Sequence, residues 1–335
     1  MSQENLTTKL NTALSSLSRA ELLMFPTPIH RLSNAEQKLS HEGIYIKRDD
    51  LTGLGPGGKK LRSLEFILGE AVSLGADTIV VHGPGQSNLC TAAAAACAKL
   101  GLRCISVHNS DKPASYEGNL LLNNMLGIES HFLGSVSQKE REAYAAELTE
   151  KLKSLGARPY EIKKGGMTGL GIIGYVKLAL ELFNQCREQN LPVKTLFVPA
   201  GNGGLAGLVY GNALLDCPFD IVMISVEYSI SELSETLKRC IADSEKILKL
   251  PFEKPLDEAV TILDCYRGDG WGCSTPESSD AVYSMPKTEG IFIEHVYNSK
   301  VWVGLEDCIR KGSVKGGACY FHSGGFSSLF SQIKV

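Results

Sequence analysis

The chain has 335 residues, of which 43% are hydrophobic and 21% charged, with a formal net charge of -3. That length supports a sizeable core and two domains rather than one. The near-neutral balance excludes the basic footprint of a nucleic-acid or anionic-membrane binder. No apolar run approaches the ~18 residues that a membrane span needs.

The N-terminal stretch MSQENLTTKLNTALSSLSRAELLMF lacks the apolar core of a secretion signal. Its serines and threonines would suit an organelle transit peptide, but Glu4 and Glu21 argue against one. None of the ten cysteines forms a C-x-x-C pair. Cys90, Cys97 and Cys104 fall seven apart, and His82 and His108 complete no metal-ligand pattern with them. The expectation is small buried thiols in a reduced, cytoplasmic protein without a metal.

In chain order, residues 1 to about 25 predict a helix followed by irregular chain. Phe25-Pro26-Thr27-Pro28-Ile29 is extended, since each proline pushes its predecessor out of helical geometry. Gly43 to Lys47 predicts a strand. It leads into RDDLTGLGPGGKKLRSLE (Arg48 to Glu65), a loop dense in glycine that delivers Lys59 and Lys60 into a helix with apolar Leu61, Leu64, Ile67 and Leu68. Strand and helix patterns then alternate. Strands are predicted at Thr78 to His82, Cys104 to His108, Ser130 to Leu133, Thr195 to Pro199 and Asp220 to Val226. Helices are predicted from about Ser87, at Glu117 to Leu126, Ser137 to Leu155 and Gly169 to Gln185, from about Leu205, and at Ser231 to Leu248. The end holds a helix near Lys300 to Arg310 and a strand at Ala318 to His322. Repeated strand-loop-helix units predict an α/β protein with parallel sheets and right-handed crossovers. The seams fall near residues 65 and 165, the second at Lys163-Lys164-Gly165-Gly166.

Four motifs carry chemistry. A lysine at a helix start behind a glycine loop sits near the positive end of the helix dipole. That favours the neutral amine and suits a Schiff-base nucleophile. The same pair could be solvated, or hold phosphate by charge, although neither lysine has the Ser or Thr that a nucleotide P-loop requires after it. GPGQSN (Gly83 to Asn88) places Ser87 and Asn88 at helix-cap positions. Its free N–H groups suit a substrate carboxylate, and Ser87 could shuttle a proton; an ordinary N-cap would look the same. PAGNGGLAG (Pro199 to Gly207) has the form of a phosphate cradle but is not a strict G-x-G-x-x-G, because the third position is Ala206. It suits the phosphate of pyridoxal phosphate better than a dinucleotide. Finally, EGIFIEHVYNSK (Glu289 to Lys300) and CYFHSGGF (Cys319 to Phe326) bring Tyr297, which could be a core aromatic or stack on a cofactor ring, with neutral Asn298 and Ser323.

The ordered set GGKKLRSLEF, GPGQSN, GGMTGLGIIGYV, PAGNGGLAGL, GWG, TEGIFIEHVYNSKVWVGL and FHSGG resembles the pyridoxal-phosphate family of D-cysteine desulfhydrase and 1-aminocyclopropane-1-carboxylate deaminase, over about Pro26 to Phe330. The resemblance implies the two-domain, parallel-sheet, tryptophan-synthase-β-like fold. Residues 1–64 and 166–335 would form the large cofactor-binding domain and residues 65–165 the small α/β domain. It makes Lys60 the Schiff-base lysine, brings Asn88 to the ring hydroxyl of pyridoxal 5'-phosphate, and brings Ser87 to the substrate carboxylate or a proton in transit. Gly201, Asn202, Gly203, Gly204 and Leu205 would wrap the phosphate through backbone N–H groups, and Tyr297 would lie by the ring and the substrate. Departures from the family pattern are Lys59 for asparagine, Ser63 for a phosphate-holding lysine, Leu205 for threonine, and Trp271 for an active-site tyrosine. Deaminases place glutamate after the tyrosine and leucine before the final Gly-Gly, whereas desulfhydrases place small hydroxyl residues at both. Asn298 and Ser323, which the resemblance places at the cofactor, lean to the desulfhydrase side. The resemblance thus implies a homodimeric lyase acting on a small amino acid, most simply β-elimination from D-cysteine or a related β-substituted alanine. Cyclopropane deamination is the alternative. A pyridoxal-phosphate carrier with little catalysis is the rival from another class.

Overall fold

The computed structural model describes residues 3–201, 203 and 205–333; Asn202 and Gly204, both expected in the phosphate loop, lie outside the described residues. The strands, in chain order, are β1 (Ile29–Arg31), β2 (Ile44–Arg48), β3 (Thr78–Gly83), β4 (Arg103–His108) and β5 (Glu129–Phe132). They continue with β6 (Pro159–Ile162), β7 (Val193–Ala200), β8 (Asp220–Ser225), β9 (Thr261–Leu263) and β10 (Gly317–His322). One sheet has the order β1-β2-β10-β7-β8-β9 and the other β5-β4-β3-β6. Only β1 pairs antiparallel; every other pairing is parallel. The four-stranded sheet is therefore an insertion between β2 and β7 of the six-stranded one.

Both sheets are covered on both faces, as parallel sheets require. Residues of the large sheet split between one core with Leu196, Val198, Ile221 and Phe321, and another with Ile46, Phe197, Ile224 and Tyr320. Every residue of β3 is buried, which explains the apolar run Ile79 to Val81 at its centre. The helix Lys60–Ser73 bridges the two sheets: Phe66 joins the large-sheet core, while Leu61, Leu64 and Ile67 join that of the small sheet.

The central packing element is the helix Gly169–Glu188, and its glycines have a steric cause. A Cβ at Gly174 would lie 2.0 Å from the Arg62 carbonyl oxygen, so only glycine lets this helix meet Lys60–Ser73. The helix Ala206–Leu214 approaches in the same way, since a Cβ at Gly207 would lie 1.9 Å from the Ile172 oxygen.

Elements with weak periodicity were not anticipated: β1, the helix Ser33–Leu39, β6, β9 and the helix Pro276–Glu289. The last buries Ser278, Ala281, Val282 and Met285, a helical stripe that its serines and internal Pro286 disguise. No described helix is long and apolar enough to cross a membrane.

Candidate active site

The lysine loop is held from below by buried charges. Arg62 donates to Asp49 at 2.6 and 2.7 Å and to Glu181 at 2.7 Å, and Lys47 donates to the other Glu181 oxygen at 2.5 Å. Burial would raise the Glu181 pKa, but Arg62 and Lys47 outweigh it and bring the carboxyl down to about 2. Asp49 and Arg62 bracket the loop, and Gly58 N–H donates to the Asp49 carbonyl at 2.9 Å. Lys59 N–H donates to the Ser323 carbonyl at 3.0 Å, which ties the loop to the end of β10. Gly57 has φ +71°, and a Cβ there would sit 2.1 Å from the Asp50 oxygen, so the turn requires glycine.

Lys60 is the first residue of its helix, and both lysines line a cleft of about 330 Å³. Burial lowers the Lys60 pKa to about 8. Burial first, then the charge of Lys60, lowers Lys59 to about 7. Desolvation thus favours the neutral amine at both positions. Neither lysine makes an ion pair among the described residues. Lys59 Nζ lies 5.7 Å from the centre of the Tyr297 ring.

Ser87, Asn88, Gly201, Trp271, Tyr297 and Ser323 line the same cleft. Ser87 caps the helix Asn88–Leu100, its Oγ accepting from Cys90 N–H at 3.3 Å. Asn88 Oδ1 accepts from Asn119 Nδ2 at 2.7 Å, which leaves its own amide N–H groups as the donors on the cleft side. Gly201 follows β7, and a Cβ there would meet Tyr297 Cε1 at 3.4 Å. Gly203, at φ +87°, faces Thr236 of the helix Ile230–Leu248, where a Cβ would come within 2.7 Å of Cγ2. Trp271 Nε1 donates to Tyr297 Oη at 2.7 Å.

Two expected residues stand back from the cleft. Leu205 buries its side chain in the large-sheet core, leaving only its backbone for a phosphate. Asn298, expected to touch the cofactor, is fully buried, and its side chain is used up by the protein. Its Nδ2 donates to Glu294 at 3.0 Å and to the Gly324 carbonyl at 2.6 Å, and its Oδ1 accepts from Ser323 N–H at 2.9 Å and Ser323 Oγ at 3.2 Å. Asn298 therefore holds Ser323 in place rather than facing a ligand itself.

Several site residues escaped the sequence. Glu294 is a buried carboxylate accepting from the N–H groups of Val296, Tyr297 and Asn298. Burial raises its pKa, and those donors act against the rise. An acid just before a helix start was the signal available for it. Arg141, His82 and Asn109 also reach the cleft from the small sheet, and no motif marks them. A second cleft, of about 370 Å³ beside β6, is lined by paired groups: Tyr160 donates to Glu70 at 2.5 Å, and Lys153 to Glu150 at 2.7 Å.

A half-buried lysine amine with a lowered pKa, a capped helix N-terminus and a strand-to-glycine turn in one cleft define an enzyme built to hold a cofactor with an aldehyde and a phosphate. The donor set fits pyridoxal phosphate. The amine is neutral in a mildly basic medium, Gly201 leaves room beside a flat aromatic wall, and a neutral hydroxyl stands at Ser323.

The chain belongs to the family described as pyridoxal-phosphate dependent enzyme, which matches residues 20–324. It is 32% identical over 323 residues to a putative 1-aminocyclopropane-1-carboxylate deaminase of Pyrococcus abyssi, covering 96% of both chains. It is 32% identical over 326 residues to the D-cysteine desulfhydrase of Klebsiella pneumoniae, covering 95% of this chain and 97% of the other. The crystal structure of an ACC deaminase homologue superposes with a TM-score of 0.88 at 34% identity, over 96% of each chain. The two-sheet α/β architecture and the pyridoxal-phosphate dependence expected from the sequence both hold.

Proposed function

We propose that this enzyme is a lyase that removes HX from D-cysteine or a related β-substituted alanine and releases pyruvate and ammonia. The observation that carries the proposal is the half-buried Lys60 at the head of its helix, lining one cleft with Ser87, its pKa lowered to about 8. Lys60 would hold the cofactor covalently through Nζ. The backbone of Gly201, Gly203 and Leu205 would hold its phosphate, with Asn202 and Gly204 as proposed members of the same loop. Tyr297 would wall the ring, Asn88 would donate to the ring hydroxyl, and Ser323 would meet the ring nitrogen. When bound, pyridoxal phosphate supplies the electron sink for negative charge at Cα.

The substrate α-carboxylate meets the N-terminus of the helix Asn88–Leu100, where Ser87 and free N–H groups favour an anion. The Lys60 amine, once released, takes the Cα proton, and Ser87 Oγ passes protons on. The bond from Cβ to its substituent breaks with the electron pair leaving on the substituent. Water then completes the release of pyruvate and ammonia.

The neutral pair Ser323–Asn298 supports elimination over ring opening, because a neutral partner keeps the electron sink moderate. Cyclopropane deamination is the second reading, favoured by relatives such as the Pyrococcus abyssi protein. The same proposal assigns residues 1–64 and 166–335 to the cofactor domain and 65–165 to the smaller one, in line with the two sheets. It also makes the enzyme a cytoplasmic homodimer. Its unpaired cysteines support the compartment, and the exposed cluster of Phe292, Phe326 and Phe330 supports pairing.

The test is the absorbance spectrum of the loaded protein before and after D-cysteine, with product analysis. Sulfide with pyruvate supports the proposal. Production of 2-oxobutanoate from the cyclopropane substrate, with no sulfide from D-cysteine, moves the enzyme to the second reading. Cofactor binding without turnover of any D- or L-amino acid makes it a carrier.

A further inference from the structure

The small-sheet side of the cleft carries a charge that no carboxylate among the described residues pairs with. Arg141 lies in the first turns of the helix Gln138–Ser154 and is 7% exposed. Its Nη1 donates to Asn109 Oδ1, while its Nε is buried without a hydrogen bond. Among the described residues no carboxylate pairs with it; the adjacent Glu142 is engaged by Gln138 at 2.8 Å. Beside it, His82 is 2% exposed, and neither ring nitrogen makes a hydrogen bond. Glu161 stands 3.7 Å from Nε2. Burial first, then Arg141, pushes the His82 pKa down to about 4, so the ring is a neutral donor.

His82 lies near the carboxyl end of β3, and Asn109 directly follows β4. Ligands bind at the carboxyl ends of parallel strands, and both residues line the cleft that holds Lys60 and Ser87. A buried guanidinium without a counter-charge is costly, and an unsatisfied buried donor adds to that cost. Such an arrangement persists where a ligand supplies the anion. The substrate α-carboxylate already has the helix N-terminus at Ser87, so the ion that Arg141 awaits is a second one.

We propose that Arg141, with His82 and Asn109, forms a second anion site in the cleft, and that the substrate is an amino acid carrying on its β-carbon an oxyanion that leaves with the bonding pair (a sulfonate as sulfite, or a phosphate ester as phosphate). This rests on the β-elimination reading above and narrows its substrate class: the substituent is anionic rather than a plain thiol.

The test is equilibrium titration of the cofactor-loaded protein, read by the cofactor absorption band rather than by turnover. The probes are both enantiomers of cysteate and O-phosphoserine, set against alanine and S-methylcysteine. At least one oxyanion-bearing amino acid is expected to bind tenfold or more tightly than its neutral counterpart. Which of the two wins identifies the anion. Arg141→Gln abolishes that margin while neutral amino acids bind as before, and Arg141→Lys keeps part of it. The melting temperature of each variant confirms folding, and the lysine variant keeps the test open if the glutamine variant fails to fold. Equal binding of anionic and neutral amino acids overturns the second site and leaves the lyase reading intact. So does an equal loss for both classes in Arg141→Gln, which would assign Arg141 to the α-carboxylate. A band that responds to no amino acid overturns the lyase reading, and the second site with it.

Discussion

Trp271 Nε1 donates a 2.7 Å hydrogen bond to Tyr297 Oη at the mouth of the cleft, although Trp271 is itself 44% exposed. Burial raises the Tyr297 pKa, and the indole bond opposes that rise. Trp271→Phe keeps the aromatic surface and removes the donor. A neutral hydrogen bond contributes about 0.5–1.5 kcal/mol, so kcat/KM should fall about 2- to 10-fold. Trp271→His, which can donate again, should recover part of the loss. Unchanged kinetics in the phenylalanine variant would show that the bond plays no part in turnover.

The two lysines should separate cleanly. Lys60→Ala should lose borohydride-fixable cofactor and at least about 10³ in kcat, with an unchanged circular dichroism spectrum. Lys59→Ala should still fix cofactor, because Lys60 heads the helix whichever side chain stands at 59. Peptide mapping of the reduced protein reads both outcomes. Label recovered on Lys59 in the wild type would reverse the assignment.

Capture of cofactor should depend on pH through the Lys60 amine. Its pKa of about 8 lies below the ordinary 10.5, so the neutral form accumulates as pH rises through about 8. Stopped-flow capture by cofactor-free protein should rise about tenfold per pH unit below 7 and level off above 8–9. The linked stability has the same sign. The unfolded chain holds more protons than the folded one between about pH 8 and the unfolded pKa of ~10.4, so the cofactor-free protein gains stability across that window. A capture rate still climbing steeply at pH 10 would mean an unperturbed lysine.

The charges beneath the loop should be a structural keystone. Arg62→Ala leaves Asp49 and Glu181 buried with reduced compensation. Loss of one partner of a buried pair costs about 3–5 kcal/mol. Urea unfolding should show that loss, together with weaker cofactor retention. Acid tells the same story with its own sign. The Glu181 pKa is depressed to about 2, so its contribution is present above the unfolded carboxyl value and is lost as pH falls through about 2. A variant as stable as the parent would remove the network from the account of the loop.

Asn298 offers a different contrast. Asn298→Asp keeps the acceptor for Ser323 and replaces the donor to Glu294 with a second carboxyl oxygen, putting two acids in contact. Asn298→Ala leaves the Ser323 and Gly324 groups unanswered, at about 1–3 kcal/mol. Both should lower the melting temperature, the aspartate more steeply above pH 5. An aspartate variant of parental stability would mean that Glu294 is protonated in the folded chain.

The sequence by itself determined the alternation of strands and helices and the order of the glycine turns. Local chemistry carries those signals: buried apolar runs such as Thr78 to His82, cap residues such as Ser87, and glycines at turns that a side chain cannot enter. It also brought Lys60, Ser87, Tyr297 and Ser323 forward as candidates, because each stands where a turn meets a helix or a strand ends. Only the tertiary structure decided what depends on burial and on distant partners. It added desolvation of the Lys60 amine, turned Asn298 away from the cleft by filling its four hydrogen bonds from Glu294, Ser323 and Gly324, and tied Trp271 to Tyr297. It also set Arg141 against the cleft without a counter-charge, although in the sequence it is one charge among many on the helix Gln138–Ser154. Partners tens of residues apart leave no periodicity to read. Their effect on charge and hydrogen bonding exists only once the chain has excluded water from around them.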